Sequence, residues 1–320
     1  MYSSPSLNFF QSFVMGYLIN LLRQVKNQVG NPQVNQEKKQ LIPLLVITLV
    51  VTGIIGGIRE FGWMQFFELA VWDSMVRLSP DRGEDERLLI VEINEQDIQT
   101  QKQWPLADET IAQVLTNLQQ HNPNVIGLDL YRDVVHKPGH EALVTALAAD
   151  NVIAIENLIN GVPAPPAVPP DRIGFNDFVV DQDNVVRRNF MYTEIKDPAK
   201  IYYSFALRLT LAALDLGEEA VVADDIALQV NGQSLPILTP NAGSYHLDEG
   251  ETVGWQILIN YRSANHVAPV VSITDILNNR VNPALIEGKT IWWVPPPLVR
   301  KICSLPPTAR PTVARFRCPG

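Results

Sequence analysis

The stretch LLIVEIN at residues 88–94 is dominated by large aliphatic side chains, and two stretches of the same character follow it, NVIGLDL at 124–130 and NVIAIENL at 151–158. Short apolar runs rich in isoleucine and valine are typical of strands that are buried on both faces. Amphipathic patterns separate these runs: residues 107–120 carry an apolar stripe, and residues 141–149 predict a shorter helix. Strands that alternate with helices of this length predict an α/β fold, in which a mostly parallel sheet is covered on both faces to give three layers.

The pattern changes after a proline-rich segment, GVPAPPAVPP. Residues 173–180 and 187–195 predict two strands joined by a turn at 181–184, where Asp and Asn residues favour a tight reversal. Asn231-Gly232 predicts the tip of a further hairpin. We therefore expect an antiparallel extension of the parallel sheet. The remaining predicted elements are helices at 203–214 and 272–278 and strands at 255–261 and 289–293.

An uncharged apolar run, LIPLLVITLVVTGIIGGI at 41–58, precedes the sheet domain. Its length matches the hydrocarbon layer of a bilayer and predicts one N-terminal transmembrane helix over 41–59. Four basic residues lie before this run, so the positive-inside rule predicts a cytoplasmic segment at 1–40 and a periplasmic, extracytoplasmic domain at 60–294. A cleaved signal peptide and a buried core helix are the alternatives. The segment before the apolar run is longer than the leader of a typical signal peptide. The uninterrupted apolar run is longer than the runs usually found in buried core helices.

The segments on either side of the apolar run predict two further helical regions. Residues 7–22 are apolar but contain Gln11 and Asn20, which favours an interfacial helix over a second span. Residues 61–78 keep a helical period. They predict that the membrane helix continues outward and stops at Ser79-Pro80.

The composition excludes several classes of function. A net charge of −9 argues against a nucleic-acid partner, which would require a basic face. Both cysteines, Cys303 and Cys318, lie near the C-terminus, so the domain has neither a disulfide scaffold nor a Cys-rich metal site. His136 and His140 are four residues apart, but a proline and a glycine between them argue against a helical metal-ligand pair. No glycine-rich phosphate loop occurs, and we expect no cofactor and no metal.

The candidate ligand-binding residues are polar or charged side chains near the predicted strand ends: Glu92, Asn94, Asp129, Arg187 and Arg262. The carboxyl ends of strands line the ligand crevice of open α/β sheets. The alternative for each residue is structural, as a cap, a solvated end or a salt bridge. Because no nucleophile–base pair stands out, the residues favour a binding or sensing domain over an enzyme. The alternative function is a membrane-tethered, metal-dependent hydrolase that uses strand-end carboxylates such as Asp129 and Asp133.

A series of short motifs occurs in a defined order: ELAVWDSMVRL at 68–78, LLIVEINEQDI at 88–98, WPL at 104–106, NVIGLDL at 124–130, IGFNDFVVDQDNVVRRN at 173–189, YSFALRL at 203–209, ILINYR at 257–262 and VSITDILNNRVNPALIEGKTI at 271–291. In this order they resemble the second type of CHASE domain (cyclases/histidine kinases associated sensory extracellular). The resemblance implies an extracytoplasmic, ligand-binding module of a signal-transduction receptor, anchored in the membrane by an N-terminal helix.

The same resemblance implies the partners. These are the membrane, a small-molecule or protein signal, and a cytoplasmic output module such as a nucleotide cyclase or a protein kinase, which we expect to lie beyond residue 320. A homodimer is expected by analogy with signalling receptors. A third possibility is that the chain is a non-signalling remnant that folds poorly. If its C-terminal segment is read in a shifted frame, as considered next, restoring the original frame should then improve its expression.

The C-terminal segment VPPPLVRKICSLPPTARPTVARFRCPG, residues 294–320, departs from the family. Members carry a pattern of the form G-x-T-A-x-G-x-x-D-x-x-x-T-P after the last strand. A one-nucleotide shift of the reading frame forces a glycine at Trp293–Val294 and an Asp or Asn at Lys301–Ile302, as that pattern requires. We therefore expect the tail at 295–320 to be frame-shifted, with a divergent tail as the alternative. Resequencing the gene from the codon of Lys289 decides between them.

Overall fold

The structure is a computed structural model, and it describes residues 23, 36–196, 199–224, 226–263 and 267–295. The interfacial helix predicted at 7–22, the tail beyond residue 295 and both cysteines lie outside the described residues. Contacts between residues divide the chain into an N-terminal unit, residues 1–67, and a sheet unit, residues 68–320.

The described residues form α-helices and β-strands in the order that the sequence predicts for an α/β domain. The helices are α1 (Gln36–Glu60), α2 (Gln65–Leu78), α3 (Glu95–Gln101), α4 (Asp108–Gln119), α5 (His140–Leu147), α6 (Phe205–Ala213) and α7 (Ile273–Leu277). The strands are β1 (Leu88–Glu92), β2 (Val125–Leu128), β3 (Val152–Glu156), β4 (Ile173–Phe175), β5 (Arg188–Lys196), β6 (Ala199–Tyr203), β7 (Val221–Ala223), β8 (Ala227–Val230), β9 (Gln233–Pro236), β10 (Trp255–Leu258), β11 (Val270–Ser272) and β12 (Thr290–Val294).

Helix α1 is the one helix in the described part of the chain that is long and apolar enough to cross a membrane. Its window from Pro43 to Glu60 has a mean hydropathy of 1.7, and none of that window is buried by other residues. An apolar helix whose window is not buried by any of the described residues fits a lipid environment better than a protein core. The predicted N-terminal helix is therefore present.

Helix α1 does not continue to Leu78, so the prediction of one continuous helix is wrong over residues 61–64. Gly62 adopts a φ of +72°, its N–H donates to the carbonyl of Arg59, and the N–H of Trp63 donates to the carbonyl of Ile58. This pair of hydrogen bonds is the Schellman arrangement that ends helices at a glycine. A new helix, α2, begins at Gln65 and ends before Ser79-Pro80, as predicted.

Six strands of the sheet unit form one parallel sheet, in the order β11-β1-β12-β2-β3-β4. Strand β12 comes from the end of the domain, yet it lies between β1 and β2. Its Ile291 pairs with Leu89 on one side and with Ile126 on the other. The predicted parallel sheet is confirmed, and the two strands whose ends carry Glu92 and Asp129 are not neighbours.

Helices cover both faces of this sheet. The connections β1 to β2, β2 to β3 and β11 to β12 all run in the same direction, and right-handed connections of that kind place their helices on one face. Ile111, Leu143 and Ile273, from α4, α5 and α7, share one buried core on that face. On the opposite face, Phe205 of α6 packs in a second core with Ile153 of β3. The predicted three layers are confirmed.

Helix α6 approaches the sheet so closely that two strand positions accept only glycine. A Cβ atom on Gly174 would lie 2.6 Å from Cα of Phe205, and one on Gly127 would lie 2.7 Å from Cζ of the same residue. This approach brings α6 to the edge strand β4, where Nε of Arg208 donates to the carbonyl of Ile173 (3.0 Å).

Two three-stranded antiparallel sheets, β10-β5-β6 and β7-β8-β9, form the extension. The hairpin predicted around Asn231-Gly232 is β8–β9, and both turn residues have positive φ, as a tight two-residue turn requires. The hairpin predicted over 173–195 is wrong in part. Strand β4 ends at Phe175 and pairs in parallel with β3, so a single bridge between Val179 and Arg188 is all that joins the two predicted strands.

Candidate functional site

Polar side chains follow three neighbouring strands of the parallel sheet and meet at its carboxyl edge. Asp129 comes after β2, Asn157 after β3 and Asn176 after β4. Nδ2 of Asn176 donates to Oδ1 of Asp129 (3.2 Å), and Nδ2 of Asn157 donates to Oδ1 of Asn176 (3.1 Å). The Tyr131 hydroxyl donates to the same Asn176 oxygen (2.9 Å). With Asp177, these four residues form what we call the carboxyl-edge cluster.

The cluster also fixes the loop that follows β3. The Asp177 carboxylate accepts from the backbone N–H groups of Leu158 (2.7 Å) and Ile159 (3.0 Å). Oδ1 of Asn157 accepts from the backbone N–H of Asn160 (2.7 Å). These bonds satisfy backbone groups that the end of the strand leaves unpaired, and they hold the loop against the edge of the sheet.

Burial shifts the pKa values of two acidic side chains at this edge, Asp129 and Tyr131. It raises the pKa of the Asp129 carboxyl above its usual value near 3.8, and the hydrogen bond from Asn176 only partly offsets this effect. Burial likewise raises the pKa of the Tyr131 hydroxyl. An acid whose pKa is shifted by burial at the end of a parallel strand is a candidate functional group.

Replacement of Asp129 by asparagine is therefore expected to stabilise the domain at pH 7, by about 0.5–2 kcal/mol, the usual range for a stabilising substitution. An acid whose pKa is higher in the folded state than in the unfolded state contributes stability below the unfolded value, and this contribution is lost as the pH rises through the folded value. The advantage of Asp129→Asn should thus shrink as the pH falls towards 3.8. Urea unfolding of the wild type and of Asp129→Asn between pH 4 and pH 8 measures this difference in stability. An equal or lower stability of the variant at pH 7 would contradict the prediction.

An open cleft of about 830 Å³ lies beside β4, the edge strand of the parallel sheet, and Glu156 at the end of β3 is among its lining residues. It lies between the end of β3, the N-terminal part of α6 and the antiparallel strands β5 and β6. Its lining combines charged residues with tyrosines and apolar residues: Glu156, Pro170, Asp171, Ile173, Glu194, Lys200, Ile201, Tyr202, Tyr203, Arg208 and Glu218. We call it the edge cleft.

Two of the charged residues around the edge cleft, Arg208 and Glu218, pair with each other. Arg208 is buried and forms an ion pair with Glu218 (Nη1 to Oε1, 2.6 Å), and its guanidinium lies 4.2 Å from the ring centre of Tyr203. Nζ of Lys200 lies 4.3 Å from the ring centre of Tyr202. Burial raises the pKa of the Glu156 carboxyl, and Lys200 and Arg208 lower it in part. The cleft therefore presents both signs of charge next to aromatic rings.

Glu92 and Asn94 lie in a different place, beside a smaller cleft of about 460 Å³ at the ends of β1 and β11. Asn94 caps helix α3: its Oδ1 accepts from the N–H of Asp97 (2.9 Å), and the Asp97 carboxylate accepts from the N–H of Asn94 (2.8 Å). Asp97 also accepts from the hydroxyl of Thr274. Asn94 thus has a structural role. Strand β12 separates this cleft from Asp129 by two strand spacings, on the order of 10 Å.

Arg187 is buried in a cluster of charges away from the edge cleft. It forms hydrogen bonds with Asp73 of α2 through Nε and Nη2 (both 2.7 Å), with Asp181 through Nη1 (2.8 Å), and with Asp183 through both terminal nitrogens (2.9 and 2.6 Å). Its neighbour Arg188 binds the second oxygen of Asp181 (2.7 Å). We call these five residues the buried charge cluster. All five N–H groups of Arg187 are used, so none is left for a ligand.

Arg262 also binds within the domain. Its Nη1 lies 3.3 Å from Oδ2 of Asp85, and its Nε donates to the carbonyl of Gly83 (2.9 Å). These contacts tie the segment before β1 to the segment after β10. The structure therefore does not bring Glu92, Asn94, Asp129, Arg187 and Arg262 into one pocket, and Asp129 alone of the five belongs to the carboxyl-edge cluster.

Sequence reasoning missed the other residues of the site. Asn157 and Asn176 follow strands directly, in AIEN and IGFN, and that position was the available signal. No sequence signal pointed to Lys200 or Arg208, because their positions near the end of β3 depend on how β6 and α6 pack. In the part of the chain that the structure describes, no group of three or more His, Cys, Asp or Glu residues could hold a metal ion. Glu92 and Asp129, two of the strand-end acids, lie at the ends of strands that β12 separates.

Comparison with known proteins adds one finding. A family model described as "CHASE2 domain" matches residues 46–292, which is most of the chain. No curated protein and no solved structure matches it.

Proposed function

The chain belongs to the CHASE2 domain family, a family of sensory extracellular domains, and on this premise we propose that it is the ligand-binding module of a membrane receptor. In this proposal residues 41–59 anchor the module, residues 60–294 lie outside the cytoplasm, and a cyclase or kinase module supplies the output. The signal binds in the edge cleft. The observation that carries the proposal is the position of that cleft beside the edge strand β4, where Glu156 at the carboxyl end of β3 is among its lining residues.

Two features favour the edge cleft over the smaller one. Both have the volume of a small-molecule site, within the usual range of about 300–1,000 Å³, but the edge cleft is the larger of the two. It lies between the parallel sheet and an antiparallel sheet, so a bound ligand would contact both. A ligand shifts a sensor only through different affinity for two states, and a site formed by two sheets allows such a difference if the sheets move.

The orientation can be tested with single cysteines. In a variant in which Cys303 and Cys318 are serine, Ile226→Cys places a thiol at a position that is 78% exposed. A membrane-impermeant maleimide is expected to label it in intact spheroplasts. A matched Ser4→Cys variant should be labelled only after the membrane is permeabilised. The opposite pattern would overturn the proposed orientation.

Ligand binding in the cleft can be tested without knowing the ligand. The full chain in lipid nanodiscs is expected to unfold at a higher temperature when the dialysable fraction of periplasmic fluid is added, because a ligand of the folded state stabilises it by RT ln(1 + [L]/Kd). Ile201→Trp, which fills the cleft, should abolish the shift. Val222→Trp, an equally bulky change at an exposed position away from the cleft, should keep it. The absence of a shift in the wild type, or the same shift in Ile201→Trp, would contradict the proposal.

A further inference from the structure

Two charges of opposite sign in the edge cleft have no partner among the described residues. The Glu156 carboxylate accepts no hydrogen bond and forms no ion pair within the described ranges, although it is half-buried at the end of β3. The Lys200 ammonium contacts the ring of Tyr202 but no carboxylate within 4.0 Å in the same ranges. The charge of Lys200 nevertheless lowers the pKa of the Glu156 carboxyl in part. The two groups therefore flank a gap that is too wide for a direct ion pair.

The other charged groups of the cleft are less available. Glu218 is bound to Arg208 at 2.6 Å, and Arg208 is also held by the carbonyl of Ile173. The Glu194 carboxylate accepts from the Tyr192 hydroxyl (2.6 Å). Asp171, Glu194 and Glu218 are all exposed lining carboxylates, and Asp171 is the one of these three without a partner among the described residues. A bound molecule would thus meet one unpaired cation, Lys200, and two unpaired carboxylates, of which Glu156 is half-buried and Asp171 is exposed.

We propose that the edge cleft binds a free α-amino acid, with its carboxylate on Lys200 and its ammonium on Glu156. This inference rests on the proposed function and names the class of the signal. A half-buried carboxylate without a partner is costly, and an ammonium group would satisfy it. The side chain of the amino acid would lie against the aromatic and apolar lining, formed by Ile201, Tyr202 and Tyr203.

Other classes of ligand fit this set of charges less well. An anion such as phosphate would face Glu156 and Asp171 with one free cation to balance it. A diamine would leave Lys200 next to a second positive charge. A metal ion would require three or more acidic, His or Cys ligands in one place, and the described residues provide no such group. A zwitterion satisfies both unpaired groups and adds no net charge.

The test uses the full chain in nanodiscs at pH 7, titrated by calorimetry with each of the common amino acids. At least one is expected to bind. Its N-acetyl derivative, which lacks the ammonium, and its amide, which lacks the carboxylate, should each bind about tenfold more weakly or worse. Glu156→Gln and Lys200→Met should produce the same loss. The matched controls are Glu141→Gln and Lys102→Met, which change exposed residues outside the cleft and should bind normally.

Each alternative result has a definite meaning. Equal binding of the amide would make the site one for cations, and equal binding of the N-acetyl derivative would make it one for anions; either would overturn the inference. If no amino acid binds while periplasmic fluid still stabilises the chain and Ile201→Trp abolishes that effect, the inference fails and the proposed function stands. If neither ligand source stabilises the chain, both fail.

Discussion

Arg187→Met is expected to lower the free energy of unfolding of the sheet unit by about 3–5 kcal/mol, the usual result of removing one partner from a buried ion pair. Arg187 is 4% exposed and donates five hydrogen bonds to three aspartates. Burial alone would disfavour its charged form, yet the hydrogen bonds that it donates to Asp73, Asp183 and Asp181 raise the pKa of Arg187. Without it, these carboxylates would face one another with Arg188 as their remaining cation.

Urea unfolding followed by tryptophan fluorescence measures this loss, and a conservative variant separates charge from geometry. Arg187→Lys keeps the charge but lacks the planar fork that binds two carboxylates at once, so it should recover only part of the stability. A double replacement, Asp73→Leu with Arg187→Leu, should be less harmful than the sum of its single replacements, because it leaves fewer unpaired charges. A loss below about 1 kcal/mol for Arg187→Met would show that the cluster is not a stabilising unit.

Trp293→Ala is expected to cost about 3–5 kcal/mol, the range for truncating a large aromatic residue in a core. Trp293 is 0% exposed, lies in the strand between β1 and β2, and contributes to the larger core. Trp293→Phe should cost much less, because it keeps most of the apolar volume and removes an indole N–H that has no hydrogen-bond partner among the described residues.

Trp292 provides a matched control on the opposite face of the same strand. Its ring packs edge-on against Phe205, 5.9 Å between centres, but the side chain is only half-buried. Trp292→Ala should therefore lose less than half as much stability as Trp293→Ala. The reverse order would mean that the face covered by α6 contributes more to stability than the face that α4, α5 and α7 cover.

The sequence predicted the parts of the fold in which a local pattern and the tertiary environment agree. Strands β1, β2 and β3 are continuous apolar runs; β2 and β3 are buried on both faces of the sheet, and β1 is buried on one face and half-buried on the other. Helix α4 has a strong amphipathic stripe and matches its predicted bounds to within one residue. The transmembrane-type helix was equally clear from its apolar length, but the glycine that ends it at residue 62 was read as part of a continuous helix.

The errors concern elements whose existence depends on distant partners. Strand β11 has only three residues and forms because β1 offers it an open edge, with Ile90 opposite Val270. Strand β6 contains Lys200, and it exists through its pairing with β5. No local sequence pattern predicts such strands. The site was missed for the same reason, because the edge cleft is formed by side chains from elements that are distant in the sequence, such as Glu156 and Arg208.

The insertion of β12 between β1 and β2 has a consequence for how the chain folds during synthesis. Strands β1 and β2 are synthesised first, and neither can complete its pairing until residues 290–294 have been added. Until then, the nascent chain exposes an unpaired edge on each of these two strands, and the central position of the sheet is unfilled. Folding of such a topology is slow, because its decisive contacts join the two ends of the domain. We expect the incomplete domain to be prone to aggregation and to depend on a holdase until its last strand is made.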